Sequence, residues 1–418
     1  MISQLLPEMG SWFIILQTLS MLLFILFIFF FPKLMIWQAD RKMRNTLIDL
    51  ETFREDSKSM FLSKLSDNKD EKMERKFETL RDFKMSPPTG IDPAGLVGKL
   101  EHVLDNSEDK FNRFVKRNAD TEDEDELADL NMAFKGVMGT HQIYKVTRHY
   151  RQLITKTKNI QLVGLIQMMM PIYKELAESQ REATRAFVDQ APIGDSIGPL
   201  VAAKLVQGEP EEVAEDVIHS EEEINGQKVH VVKSKGPGAR LGKYGDAVNE
   251  LAEQNDLEAI ITVDAGAKFE GEETGSISEG VGVMMGGPGV EKTKIEEAAT
   301  EHDVPLEGVV IKQSPSEASK PMKKEIYDSY KTALDKVEEL VNEFDGEVAV
   351  VGVGNTCGVG NTRSDVSGVH NRLRKYWKEY EEKEDEEVSY IGLMGAMGGG
   401  NQARLEEVKS SILWKLPR

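Results

Sequence analysis

Residues 12–32, "WFIILQTLSMLLFILFIFFFP", carry no charged side chain. A helix of about 20 apolar residues crosses the roughly 30 Å of hydrocarbon in a bilayer. Trp12 and Trp37 flank the run, as interfacial anchors do. A cleaved signal peptide needs a basic start, a shorter apolar stretch and a small-residue cleavage site. None of the three is present, so the run reads as a retained single span with the lipid bilayer as its partner. Glu8 precedes it without any Lys or Arg, whereas Lys33, Arg41, Lys42 and Arg44 follow. Positive-inside counting then puts the N-terminus outside and the rest of the chain in the cytoplasm.

The remainder has a soluble texture. Charged residues are 30% of the chain, hydrophobic residues 40%, and the formal net charge is −20. That balance argues against nucleic-acid binding, which needs clustered Lys and Arg. The single cysteine, Cys357, excludes an intrachain disulfide and a cysteine-based zinc site.

Four segments follow from changes of texture. Residues 1–37 hold the anchor. Residues 38–85 are highly charged, with one narrow apolar stripe: Met43, Leu47, Leu50, Phe61 and Leu65, then Met73, Phe77 and Leu80. Such a stripe fits a stalk helix that dimerises as a coiled coil, or one that lies on its own protein. "SPPTGIDPAG" (86–95) cannot continue a helix and opens a helical domain that runs to residue 190. A kink or break is expected at Pro171, and Met168 to Met170 read as adaptable core.

From residue 191 to 418 apolar strand-like runs alternate with helical patterns. "KVHVVKS", "LEAIITVD", "EGVVIKQS", "EVAVVGVG" and "VSYIGLMG" read as buried strands, and "NQARLEEVKSSIL" as a closing helix. The alternation predicts an α/β domain with a mostly parallel sheet covered on both faces. Ligands of such sheets sit at the carboxyl ends of the strands, so chemistry is sought there.

Three strand ends stand out. Asp264 ends "AIITVD", where a buried carboxylate needs hydrogen bonds, a metal or a partner. Lys268, Glu270 and Glu272 follow it, as a ligand cluster or a solvated loop. Gly286, Gly287 and Gly289 lead into a helix N-terminus, an anion-binding geometry or a tight turn. Gly352, Gly354, Asn355 and Thr356 form a near-match to a dinucleotide turn with its last glycine, Gly358, one position late. "PIGDSIGPLVA" places Asp195 between Gly194 and Ser196 at a helix start, where Asp is a favoured N-cap. His302 lies in sequence between two of these segments and is the histidine best placed to join a metal site.

The stretches "PIGDSIGPLVA", "KSKGPGARLG", "ITVDAGAKFEGEETGSISEGVGVMMGGPGVE" and "VVGVGNTCG" resemble an archaeal family of membrane-anchored proteins, domain of unknown function 1512. "GDSIGPLVAAKL" also resembles the spore germination protease group, similar in fold to hydrogenase-maturation peptidases. This second resemblance implies a phosphorylase/hydrolase-like three-layer sandwich in which Asp195 and Asp264 face one another. It departs from that group in two places. The segment before Gly194 looks helical, and the glycine–asparagine turn comes late, at Gly352 to Asn355.

Two close carboxylates share a proton, one acting as acid and the other as base, or they hold a divalent metal that activates water. Asp195, Asp264 and His302 are the ligands expected for the metal version. Three functions stay open: an aspartate-pair or metal-dependent hydrolase, peptidase-like in kind; a nucleotide- or metabolite-binding module; and a structural protein that oligomerises through its stalk.

Overall fold

The computed structural model describes residues 6–68, 70–86, 95–284 and 289–397. The helix α1 runs unbroken from Leu6–Leu65, about 90 Å at 1.5 Å per residue. Its apolar part, with Pro32 inside, is exposed along its length, and it is the one described helix long and apolar enough to cross a membrane. The charged continuation does not leave the protein as a free stalk. It packs against α4 (Glu124–Thr157) and α5 (Ile160–Val188).

Met43, Leu50, Phe61 and Leu65 are buried there, as are Met73, Phe77 and Leu80 of α2 (Glu71–Arg81). Of the two readings of the stripe, a coiled-coil dimer or a helix lying on its own protein, the second holds: the chain's own helices cover it. Phe134 of α4 sits at the hub, with the rings of Phe61, Phe77, Phe111 and Phe114 at 5.3–5.8 Å. Phe111 and Phe114 belong to α3 (Leu96–Asn118), so residues 38–85 and 95–190 form one helical bundle. Part of the acidic run at 120–126 starts α4: Asp123 accepts from Asp125 N and Glu126 N, the N-cap arrangement. Pro171 lies inside α5 without ending it, and of the methionines Met170 is core while Met168 is exposed.

The second domain is a seven-stranded sheet in the order β1-β2-β3-β7-β4-β6-β5. Its strands are β1 (Glu211–Ala214), β2 (Val217–Ile224), β3 (Gln227–Ser234), β4 (Leu257–Ala267), β5 (Ile277–Val281), β6 (Leu306–Gln313) and β7 (Glu347–Gly352). The central four, β3, β7, β4 and β6, are parallel. β1, β2 and β5 pair antiparallel, so the sheet is mixed where a mostly parallel one was expected.

Helices α7 (Tyr244–Gln254) and α8 (Val290–Glu301) cover one face. The other carries α6 (Ile197–Leu205), α11 (Tyr330–Val341) and the start of α12 (Val369–Met397). Two five-residue helices, α9 (Pro315–Ser319) and α10 (Lys324–Asp328), precede α11. "VSYIGLMG", expected as a strand, continues α12: the charged helical pattern before it contains no breaker. The helix expected at 401–413 lies outside the described residues.

The two domains are tied at several points. Arg240, almost fully buried, reaches Asp125 and the Glu124 carbonyl of α4 and also Asp216 of the β1–β2 turn. Asp129 of α4 accepts from Ala239 N at 2.8 Å. Burial pushes the Asp129 carboxyl up to about 7.

Candidate functional site

The site lies at the carboxyl ends of β4 and β7. Strand β4 delivers Asp264, 3% exposed, on the face covered by α7 and α8. One oxygen accepts from Ala265 N at 2.6 Å. The other, Oδ2, is buried with no hydrogen-bond partner among the described residues. A buried carboxylate left this way is costly, and the group answers by holding its proton. Burial first, and then the charge of Asp195, raise the Asp264 pKa well above the usual carboxylate range.

Asp195 comes to the same place from a different segment. Residues Gly194–Ser196 make a 3-10 turn that feeds α6. The turn is clamped from both sides. Gly194 N donates to Lys320 O, and Met322 N donates to Pro192 O. Gln313 Nε2, at the end of β6, donates to Gly194 O at 3.1 Å.

Asp195 does not cap α6. Its Oδ2 accepts from Asn355 N at 2.9 Å, in the loop after β7. Asp195 is partly exposed as a residue, yet desolvation of its carboxyl still raises the pKa. The buried Tyr244 hydroxyl stands by, donating to Gly352 O or Gly354 O at 3.1 Å and accepting from Ser234 N. Burial and, to a lesser degree, the Asp195 charge keep that phenol protonated.

The glycines of the loop after β7 serve close packing. A Cβ on Gly352 would lie 2.5 Å from Ala202 Cβ and from Gly198 O. One on Gly354, at φ +134°, would lie 2.0 Å from Asp195 O. One on Gly358 would strike Gln190 O at 2.5 Å. The space a dinucleotide turn leaves for phosphate is filled here by α6 and the segment before it. Thr356 is wholly buried, its hydroxyl shared among the carbonyls of Lys235, Gly238 and Arg240. Ser196 is likewise internal, accepting from Ile193 N. Both hold the backbone in place.

The charged residues after β4 pair with other neighbours and not with the two aspartates. Lys268 donates to Thr274 Oγ1 and lies 3.8 Å from Glu317. Glu272 pairs with Lys312, and Glu270 is exposed. Gly289 sits at φ +81° before α8 with open space beside it, while Gly286 and Gly287 lie outside the described residues.

His302 is at the wrong end of the sheet. It is the exposed C-cap of α8, which runs back to the amino end of β6. Among the described residues no group of three His, Cys, Asp or Glu is placed to hold a metal. Hydrolytic metal centres of the zinc type take three protein ligands. The donor set of two carboxylates does not fit that group.

Sequence reasoning missed several buried polar groups near the carboxyl end of the sheet. Gln313 Oε1 is a second buried oxygen without a partner among the described residues. Glu317, nearly buried, caps α9 and takes Lys323 and Thr274. Lys233, fully buried at the end of β3, donates to Ser234 O and Asn361 Oδ1, and burial lowers its pKa to about 7. A lysine at the end of the apolar run "KVHVVKS" was the available signal.

Family models match the chain in two blocks. Residues 17–190 match the N-terminal domain of a protein of unknown function, DUF1512, and residues 193–360 match the DUF1512 C-terminal domain. The chain belongs to the DUF1512 family. The boundary between the two DUF1512 blocks falls at Ala191 and Pro192, just ahead of the Asp195 turn. No curated protein and no solved structure matches the chain.

Proposed function

We propose that the chain is a membrane-anchored hydrolase whose acid–base pair is Asp195 and Asp264. The observation that carries this reading is the unpartnered, buried Oδ2 of Asp264, set beside a second carboxyl at the strand ends. Asp264 is the less exposed group and has an unpartnered oxygen, whereas Asp195 accepts from Asn355 N, so Asp264 holds the proton. Asp195, partly exposed, is the base. In the reaction Asp195 takes a proton from water as the water oxygen bonds to a carbonyl carbon. Asp264 gives its proton to the carbonyl oxygen. Collapse of the tetrahedral species breaks the carbon–nitrogen bond: the amine leaves with the proton held by Asp195, and one hydroxyl of the species returns a proton to Asp264 as the carbonyl re-forms. The amide substrate class makes this a peptidase-like activity.

The anchor at residues 12–32 supports a place at the bilayer, and the Lys and Arg that follow it support a cytoplasmic α/β domain. The nucleotide-binding alternative is weakened at the loop after β7, because Gly352 and Gly354 are packed against α6 and the turn before it.

The test is turnover of a fluorogenic peptide library by the full-length protein in vesicles between pH 4 and 8. Asp195→Asn and Asp264→Asn are each expected to lower turnover about 100-fold or more while thermal unfolding stays cooperative. Cleavage by both folded variants at the wild-type rate, or no cleavage by the wild type, sinks the hydrolase reading.

A further inference from the structure

Helix α5 is apolar on two sides. Val163, Ile166 and Met170 are buried against Ala39 and Met43 of α1 and Ile154 of α4. On the other side Leu165, Met168 and Ile172 are 54–66% exposed, in one stripe at helical spacing. Ile160 begins the helix and is 39% exposed. Singly exposed apolar residues are ordinary, but a contiguous stripe marks a surface that something covers.

Ion pairs fix where this surface lies. Lys174–Asp49 and Arg181–Asp56 are both 125 positions apart, so α5 runs parallel to α1 in constant register. Arg151–Asp40 sets the antiparallel α4 in the same frame. Lys158, at the tip between α4 and α5, is therefore level with Lys33, and Ile160 with Met35. Met35 is three residues beyond Pro32, the end of the uncharged run, or about 5 Å along the axis. The headgroup layer is roughly 5–8 Å thick on each side. The hairpin tip stands within it.

The charges point the same way. From residue 130 to 174 there is no Asp or Glu, in a chain with 72 of them among 418 residues. At the average density that stretch would hold about eight. It holds Arg148, Arg151, Lys156 and Lys158 towards the tip. Lys156 and Lys158 are exposed. A basic tip bearing Ile160, at the level where the span leaves the bilayer, is complementary to an anionic lipid surface.

We infer that the α4–α5 hairpin is a second membrane-contact element. Lys156 and Lys158 meet anionic headgroups and Ile160 enters the interface, while Leu165, level with Asp40 and about 12 Å past Pro32, stands at its outer edge. Together with α1 it would hold the helical bundle, and through it the α/β domain, at a set distance from the membrane.

Cys357 is fully buried, so an introduced surface cysteine can be labelled alone. The full-length chain with a nitroxide at I160C, L165C, E250C or I25C goes into vesicles of phosphatidylcholine with 30% phosphatidylglycerol. Accessibility to oxygen, which favours lipid, is compared with accessibility to a water-soluble nickel chelate. The oxygen-to-nickel ratio at I160C is expected to be several-fold above that at E250C on the exposed α7 surface. L165C should fall between them. K156E/K158E is expected to lower the I160C ratio. A ratio at I160C equal to that at E250C overturns the inference. So does shielding of I160C from both reagents with spin–spin broadening that vanishes on dilution with unlabelled protein, because a second copy then covers the tip. A water-like ratio at I25C would remove the span itself, and the hairpin contact with it.

Discussion

Gly354→Ala is expected to be the most damaging single-methyl change in the α/β domain. Two penalties add. The residue sits at φ +134°, where a Cβ is strained, and that Cβ would lie 2.0 Å from Asp195 O and 3.2 Å from Pro199 Cδ. Backbone cannot swing aside as a side-chain end can, so either α6 or the loop after β7 must move. A loss of about 3 kcal/mol or more is expected. Gly98→Ala is the control: it lies in α3 with nothing within 4 Å of its added methyl, so Ala should stabilise it by about 0.5–1 kcal/mol. Denaturant midpoints of the two variants against wild type check both signs. An undamaged Gly354→Ala would mean that the turn carrying Asp195 is not held as described.

Asp264→Asn is expected to stabilise the protein, increasingly so as pH rises. The folded-state pKa of Asp264 is raised, so below the unfolded value near 3.8 the acid is protonated in both states and costs nothing. Above it the unfolded chain gives up its proton while the folded one keeps it. Stability then falls by about 1.4 kcal/mol per pH unit until the folded pKa is reached. Asn at 264 has no such charge to suppress, so the gap between variant and wild type widens through the mildly acidic range. Asp129, raised to about 7 by burial, adds a loss of the same sign in both proteins and cancels from the comparison. Denaturant melts from pH 3.5 to 7 read the difference. A constant gap across that range would contradict a buried, proton-holding Asp264. Stabilisation by removal of a functional acid is also what a site kept for chemistry should show.

Much of the architecture was legible because it rests on long apolar runs. The span, β3, β4, β6 and β7 all announce themselves this way, since burial on both faces leaves little room for polar residues. The strands that escaped notice are the two edges, β1 and β5, and β2 next to β1. β1 reads "EEVA", β5 "ISEGV" and β2 "VIHSEEEI": short or acidic and partly exposed, as strands at the margin of a sheet are. "VSYIGLMG" went the other way, an apolar run that continues a helix.

At the site, the strand-end rule found Asp264, and the turn at "GDS" found Asp195. Their meeting was implied by the resemblance alone and not by any pattern of residues, because it depends on β7 being inserted between β3 and β4 in the sheet. Insertion of β7 brings the loop at Asn355 under α6, where it takes the Asp195 carboxylate. His302 misled because nearness in sequence says nothing about which end of a sheet a helix reaches. The glycines of "GVGNTCG" misled because a motif reading assumes a ligand, whereas close packing of helix on strand uses the same residue.

The central claim is that Asp195 and Asp264 are coupled and that Asp264 is the member that keeps its proton. Infrared difference spectroscopy of the protonated carboxyl band, titrated in wild type, Asp264→Asn and Asp195→Asn, measures this directly. A band that persists above the usual carboxylate range in the wild type is expected. It should be absent in Asp264→Asn and should titrate at lower pH in Asp195→Asn, where the neighbouring charge is gone. A wild-type band that vanishes by the ordinary carboxyl pKa, or one that titrates identically without the Asp195 charge, would contradict the pair and the hydrolase reading built on it.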